Sequence, residues 1–291
     1  MINMKHNNHN SFILTSITKI LEEAISTTIG IGDGIETYAL YDYVMQSVFL
    51  KMTGAQEQKM KCICWELATN NYGYRYDRYT KNPIGGCSQY KEKEQIYKDI
   101  INQIPNFELE DFDNYIDDSK KIEILFSVYN QVKQLFKESS LKKWNEKEYI
   151  FFESNFDKIF KTKNGKARIL EKKENAERKE NMKKQSSLFY KIFPQKNNSM
   201  WKNKKGGVIK KRKIQSINLF DNELILRYEQ LYHHRNRCAH NTLSYQQNLP
   251  TLDTLRGEEY VYENYFIYFS ILILIDEIMM KLYQKYLEVI D

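Results

Sequence analysis

Ten consecutive residues from Phe266 to Ile275 contain no charge, and all but Ser270 are apolar or aromatic, before Asp276 and Glu277 end the run. This run dominates what the chain can become. It is too short for a membrane crossing, which needs about 18–20 apolar residues. Within a helix predicted over residues 258–288 it is apolar nearly all round. A helix of that kind must be covered on more than one side, by other helices of a bundle and, for any remainder, by a dimer interface. The other helices are available. With only four Pro and 11 Gly in 291 residues, and few alternating stretches, the chain reads as all-α. Hydrophobic residues make up 42%, led by 22 Tyr and 15 Phe, enough for a sizeable core.

Apolar periodicity predicts helices over residues 11–29, 35–52, 55–71, 89–103, 119–137, 145–161 and 218–240. Gly30 to Gly34 should break the first, and Thr53-Gly54 should separate the second from the third as an αα-hairpin. The Gly30–Gly34 stretch follows no strand and precedes no Gly-Lys-Ser/Thr, so it is no phosphate-cradling loop. Asp111, Asp113, Asp117 and Asp118 lack the Gly and terminal Glu of a calcium loop and read as solvated turn residues. The N-terminus lacks the charged-then-apolar order of a signal peptide. Four cysteines in 291 residues form no disulfide framework, so a reducing cytoplasm is expected.

Charge is unevenly placed. The net charge is +6, but residues 161–215 hold 19 Lys/Arg against four Glu, while the remainder holds 25 against 34. One basic segment on an acidic body marks either a nucleic-acid contact or a solubilising insertion. Lys210, Lys211, Arg212 and Lys213 are its densest part. Residues 168–184 could form a charged helix, and Ser187 to Pro194 is a short apolar anchor. Further upstream, Tyr72 to Tyr79 interleaves Tyr with Arg75 and Arg78. Such a stretch either stacks unpaired bases while Arg holds phosphate, or packs down as a Tyr-rich loop.

The densest cluster of reactive side chains closes the helix over 218–240. It runs Glu229-Gln230-Leu231-Tyr232-His233-His234-Arg235-Asn236-Arg237-Cys238-Ala239-His240-Asn241. Arg235-Asn236, three intervening residues and His240 resemble the signature of the HEPN superfamily, an all-α group with many metal-independent ribonucleases. The match spans six residues and their helical context, and its spacing is at the short end of the family range. The resemblance implies an irregular helical bundle forming one extended domain over 1–291, with residues 161–215 as an insertion. A division into two domains near residue 105 is the other arrangement. It further implies an endoribonuclease that needs no metal or cofactor and leaves 2′,3′-cyclic phosphate and 5′-hydroxyl ends. A toxin or antiviral abortive-infection role, with an antitoxin or regulatory partner, also follows from the resemblance.

The residue types suit that chemistry. His has the side-chain pKa nearest neutrality and serves as acid or base. Arg grips phosphate with a planar, permanently charged fork. Asn can orient either. Arg235 and His240 therefore read as phosphate ligand and acid/base, Asn236 as orienter, and Arg237 and His234 as assisting phosphate contacts. On an ideal helix Asn236 and His240 share a face, whereas Arg235 and His240 stand roughly 140° apart. One copy does not close a site comfortably. The resemblance supplies two copies, facing each other in a homodimer.

Three further readings accompany this one. The cluster can be a solvated helix C-terminus, where cations favour the dipole. His233, His234, Cys238 and His240 can be a zinc set. Or the domain can bind RNA or nucleotides, or serve assembly, without cutting. Asn241 is expected to cap the helix, which would place His240 at the negative end of the dipole and favour its protonated form. Glu66, near the apolar face of the helix over 55–71, is a candidate to orient a site Arg or His, or else a rim residue.

Overall fold

The computed structural model describes residues 8–32, 34–104, 115–137, 139–160, 187–194, 218–240 and 258–290. The described residues are all-α, with a single isolated bridge between Ile192 and Phe220. Ten α-helices follow in order: α1 (Asn8–Ile13), α2 (Thr18–Thr27), α3 (Tyr38–Asn70), α4 (Tyr72–Tyr76), α5 (Tyr90–Gln103), α6 (Asp118–Phe136), α7 (Ser140–Trp144), α8 (Glu146–Phe160), α9 (Asn222–His240) and α10 (Tyr265–Ile290). None of the described helices is long and apolar enough to cross a membrane.

Helix α10 is the axis of the bundle. Every residue from Phe266 to Ile275 is at most 1% exposed, covered by α3, α5, α6, α8 and α9. Aromatic edges do much of the covering. Phe136 of α6 and Tyr149 of α8 meet the Phe266 ring at 4.9 and 5.2 Å, both edge-on, the geometry that ring quadrupoles favour. Each such buried ring contributes about 1.5–3 kcal/mol. The cover lies wholly within one chain. The apolar helix therefore gives no support to a dimer interface, and a two-copy arrangement has to stand on its chemistry alone.

Two boundaries depart from the sequence reading. Residues 35–52 and 55–71 do not form a hairpin: α3 runs unbroken through Thr53-Gly54. Nothing lies within 4 Å of where a Cβ on Gly54 would sit, so the glycine costs only its helix propensity, about 1 kcal/mol against Ala. Phe49, Met52, Met60, Ile63 and Leu67, each at most 1% exposed, outweigh that cost. Conversely, the helix expected over 11–29 is broken between α1 and α2. There Asp276 of α10 reaches across and accepts the Ile17 backbone N–H at 3.0 Å. The same carboxylate takes the Lys59 ammonium of α3 at 2.6 Å, with side chains 1% and 3% exposed. One buried carboxylate thus ties three helices together.

The helices expected over 89–103, 119–137, 145–161 and 218–240 lie within a few residues of their predicted limits, whereas the one expected over 258–288 begins only at Tyr265, after a separate 3-10 turn over Glu258–Tyr262. Asp117 caps α6 by accepting the Lys120 N–H at 2.7 Å. Asp111 and Asp113 lie outside the described residues. The apolar anchor at 187–194 buries Leu188, Phe189 and Ile192, stacks Phe189 on Phe156 at 4.2 Å, and pairs with Leu219 to Asp221 just ahead of α9 through two backbone hydrogen bonds. It fixes where α9 starts. The basic stretch it interrupts, including Lys210, Lys211, Arg212 and Lys213, lies outside the described residues.

Candidate phosphate-directed site on helix α9

Helix α9 buries Leu224, Tyr228 and Leu231 against the bundle and carries the cluster at its C-terminal end. Arg235 lies toward α3. Its Nη2 sits 3.3 Å from Glu57 Oε1, and its Nη1 donates to Asn236 Oδ1 at 3.1 Å. The guanidinium is thus aimed by a carboxylate on one side and an amide on the other, with the Arg235 side chain still 27% exposed. Glu57, not Glu66, is the carboxylate that meets the motif. Glu66 instead lies 2.7 Å from His9 Nδ1, between α1 and α3.

Behind this pair is Lys93 of α5, only 1% exposed. Its Nζ donates to the Cys87 carbonyl at 2.6 Å. Burial pushes its pKa down to about 8, against the pull of Glu57. Gln56, Glu57, Lys93, Tyr228 and Arg235 line a narrow crevice there. Glu57 and Lys93 are the two residues that motif reading missed. Lys93 carries its charge on the buried face of α5, and a continuous α3 carries Glu57 to α9.

His234 turns inward, with both ring nitrogens near partners within the fold. Its ring lies among Phe49, Tyr265 and Tyr268, at 5.3, 5.2 and 5.4 Å. Arg237 Nη2 stands 3.3 Å from its Nδ1, and the Tyr265 hydroxyl 3.0 Å from its Nε2. A guanidinium can only donate, so Nδ1 accepts and the ring proton belongs on Nε2, facing Tyr265. Burial first, and the Arg237 charge second, drive the His234 pKa down to about 4. This is a half-buried histidine held neutral by its surroundings. Arg237 in turn holds Glu263 at 3.1 Å, so it braces α9 against the entry to α10.

The His234 environment has a measurable consequence. Between pH 6.5 and about 4 the unfolded chain binds a proton at this position that the folded chain refuses. Stability therefore rises with pH through that window, and the contribution is complete above 6.5. The shift corresponds to roughly 3 kcal/mol lost by pH 4. Urea titrations at pH 7.0 and 4.5 should show a stability difference that narrows by about 2 kcal/mol in His234→Phe. An unchanged difference would mean the ring is protonated in the fold.

Cys238 Sγ lies 3.5 Å from His234 Nε2, while the His233 ring is exposed and turned to Tyr232. Among the described residues no three His, Cys, Asp or Glu side chains converge as metal ligands. His240 is the last residue of α9; its side chain, with Asn241, lies outside the described residues.

The two arginines of the Tyr-rich stretch part company. Arg78 makes a side-on pair with Asp99 of α5, Nε to Oδ2 and Nη2 to Oδ1, both at 2.7 Å. It pins a π-helical turn, Asp77–Lys81, onto the bundle and is committed to structure. Arg75 on α4 is exposed. Comparison with family models, with curated proteins and with solved structures returned no match.

Proposed function

We propose that the chain is a metal-independent, HEPN-type endoribonuclease. Arg235 holds the scissile phosphate, Asn236 orients Arg235, and His240 supplies or removes the proton. The observation that carries this reading is a partly exposed Arg235 aimed by Asn236 on the helix that ends at His240. In the reaction the ribose 2′-oxygen bonds to phosphorus as its proton leaves to one His. The bond to the 5′-oxygen breaks as a second His delivers a proton there. Arg235 neutralises the charge that builds on the phosphate. Two His are needed, so the active form is a homodimer with the motifs facing. Residues 161–215 add salt-sensitive phosphate contacts. A toxin or abortive-infection effector in the cytoplasm, restrained by an antitoxin or other partner, is the setting this activity fits.

The experiment is cleavage of total RNA and tRNA in EDTA. The wild type should give cyclic-phosphate ends, and His240→Ala should lose at least about 100-fold in rate while binding RNA as before. Metal-dependent cleavage, or full activity in His240→Ala, would overturn the reading. One observation favours a second reading, a non-catalytic RNA- or nucleotide-binding module: Glu57 already occupies Arg235. Absence of cleavage by the dimeric wild type, with RNA binding intact, would select it.

A further inference from the structure

Trp65 near the end of α3 and the Tyr-rich stretch that follows are separate in sequence logic, but the fold brings them together. Trp65, Tyr72, Arg75, Tyr76 and Tyr79 line one open cleft of about 360 Å³, within the size range of small-ligand pockets. The four rings are 56%, 81%, 57% and 52% exposed. Large aromatics are rarely left this open together. None of the four is in ring contact with another of them or with any other described ring, and all four line the same cleft. No Leu, Ile, Val or Met lines the cleft, and neither does any carboxylate. Its one charge is Arg75, which makes no ion pair with any described residue. The platform is held stiffly. Asn71 caps α4 by accepting the Tyr74 N–H at 3.0 Å, and Arg78 fixes the π-turn to Asp99. π-turns of this kind recur at functional sites.

We propose that this cleft is a binding site for an unpaired nucleobase and its phosphate in a single-stranded nucleic acid, with the rings stacking on the base and Arg75 holding the phosphate. Flat rings with a single unopposed cation match that ligand. Every base offers a π-face, and stacking on aromatic side chains is tolerant of sequence. A protein partner would be expected to meet large aliphatic side chains and charges of both signs, whereas the lining offers only Ala68 and the single charge of Arg75. The site is independent of any chemistry at Arg235. Along α3, Glu57 precedes Trp65 by eight residues, about 12 Å of helix axis.

The test is fluorescence anisotropy of labelled ten-nucleotide oligo(U) and oligo(dT) in EDTA, using the full chain carrying His240→Ala so that no probe is cut. Tyr72→Ala and Tyr76→Ala should each weaken binding about 5- to 100-fold. Arg75→Ala should weaken it and lower the slope of log affinity against log salt by about one. Trp65 emission should be quenched by oligonucleotide in a protein whose other tryptophans, Trp144 and Trp201, are Phe. Equal affinity for the two oligomers assigns the site to base and phosphate alone, and preference for oligo(U) adds the 2′-hydroxyl; both support the proposal. Competition by UMP at the site's own affinity supports it with a free nucleotide as occupant. Affinity unchanged in Tyr72→Ala and Arg75→Ala, or no binding by the parent, overturns it. So does loss of self-association in those variants without loss of oligonucleotide binding, which would give the face to a second copy. The exposed positions should leave the melting temperature unchanged, which separates a lost site from a lost fold.

Discussion

Asp276→Leu should lower the free energy of unfolding by about 3–5 kcal/mol. The change removes two partners at once. Lys59 keeps its ammonium at a 3% exposed position with no anion to meet it, and the Ile17 N–H loses its acceptor. Burial already pulls the Lys59 pKa below that of a free lysine, and only the Asp276 carboxylate opposes the pull. Removing one member of a buried pair costs far more than removing both, because desolvation of the survivor is no longer offset. Lys59→Met/Asp276→Leu should therefore recover most of the loss. A residual of about 1–2 kcal/mol should remain for the unsatisfied Ile17 N–H. Urea midpoints at constant slope read both values. A loss below about 1 kcal/mol in Asp276→Leu, or no recovery in the double variant, would mean that solvent reaches the pair and that the three-helix junction is held by apolar packing alone.

The same junction shows why some of the fold was legible in the sequence and some was not. The bundle and its axis follow from composition and from the uncharged run at 266–275, because nothing but enclosure satisfies such a helix. The break between α1 and α2 is harder to read, since the carboxylate that takes the freed Ile17 N–H lies 259 residues away. The unbroken α3 was readable in principle. Phe49, Met52, Gln56, Met60, Ile63 and Leu67 keep helical spacing straight through Thr53-Gly54, and that stripe is a stronger signal than one glycine. Reading a stop there also hid Glu57, because two helices in a hairpin have no shared register with α9.

Within the candidate site, local features were legible and tertiary ones were not. Arg235 and Asn236 are neighbours in sequence and hydrogen-bonded in space. The fate of Arg78 was set by Asp99, on another helix, and so lay beyond any reading of Tyr72 to Tyr79. His234 sits three residues after Leu231 and ten after Leu224, beside the buried stripe of α9; its spacing already argued for a half-buried position. Arg237 was assigned to phosphate for its charge, but its charge is answered by Glu263.

Arg235→Ala and Glu57→Gln should move RNA cleavage in opposite directions. Arg235 is the phosphate ligand of the proposed site, so its removal should cut kcat by about 100- to 1,000-fold, the usual effect of losing one donor aimed at developing charge. Glu57 holds the same guanidinium at 3.3 Å from a side chain only 15% exposed. A phosphate that approaches Arg235 comes within several ångströms of that carboxylate. At an effective dielectric near 20, with screening, the repulsion amounts to about 1–2 kcal/mol. Neutral Gln keeps the shape and one hydrogen bond while removing the repulsion, so Glu57→Gln should lower KM about 5- to 30-fold with kcat little changed. The gain should shrink as salt rises. Steady-state kinetics on one oligonucleotide at two ionic strengths measures all of this. A fall in kcat for Glu57→Gln as deep as that for Arg235→Ala would show that Glu57 positions the guanidinium rather than competing with phosphate. Wild-type rates in Arg235→Ala would remove Arg235 from the chemistry.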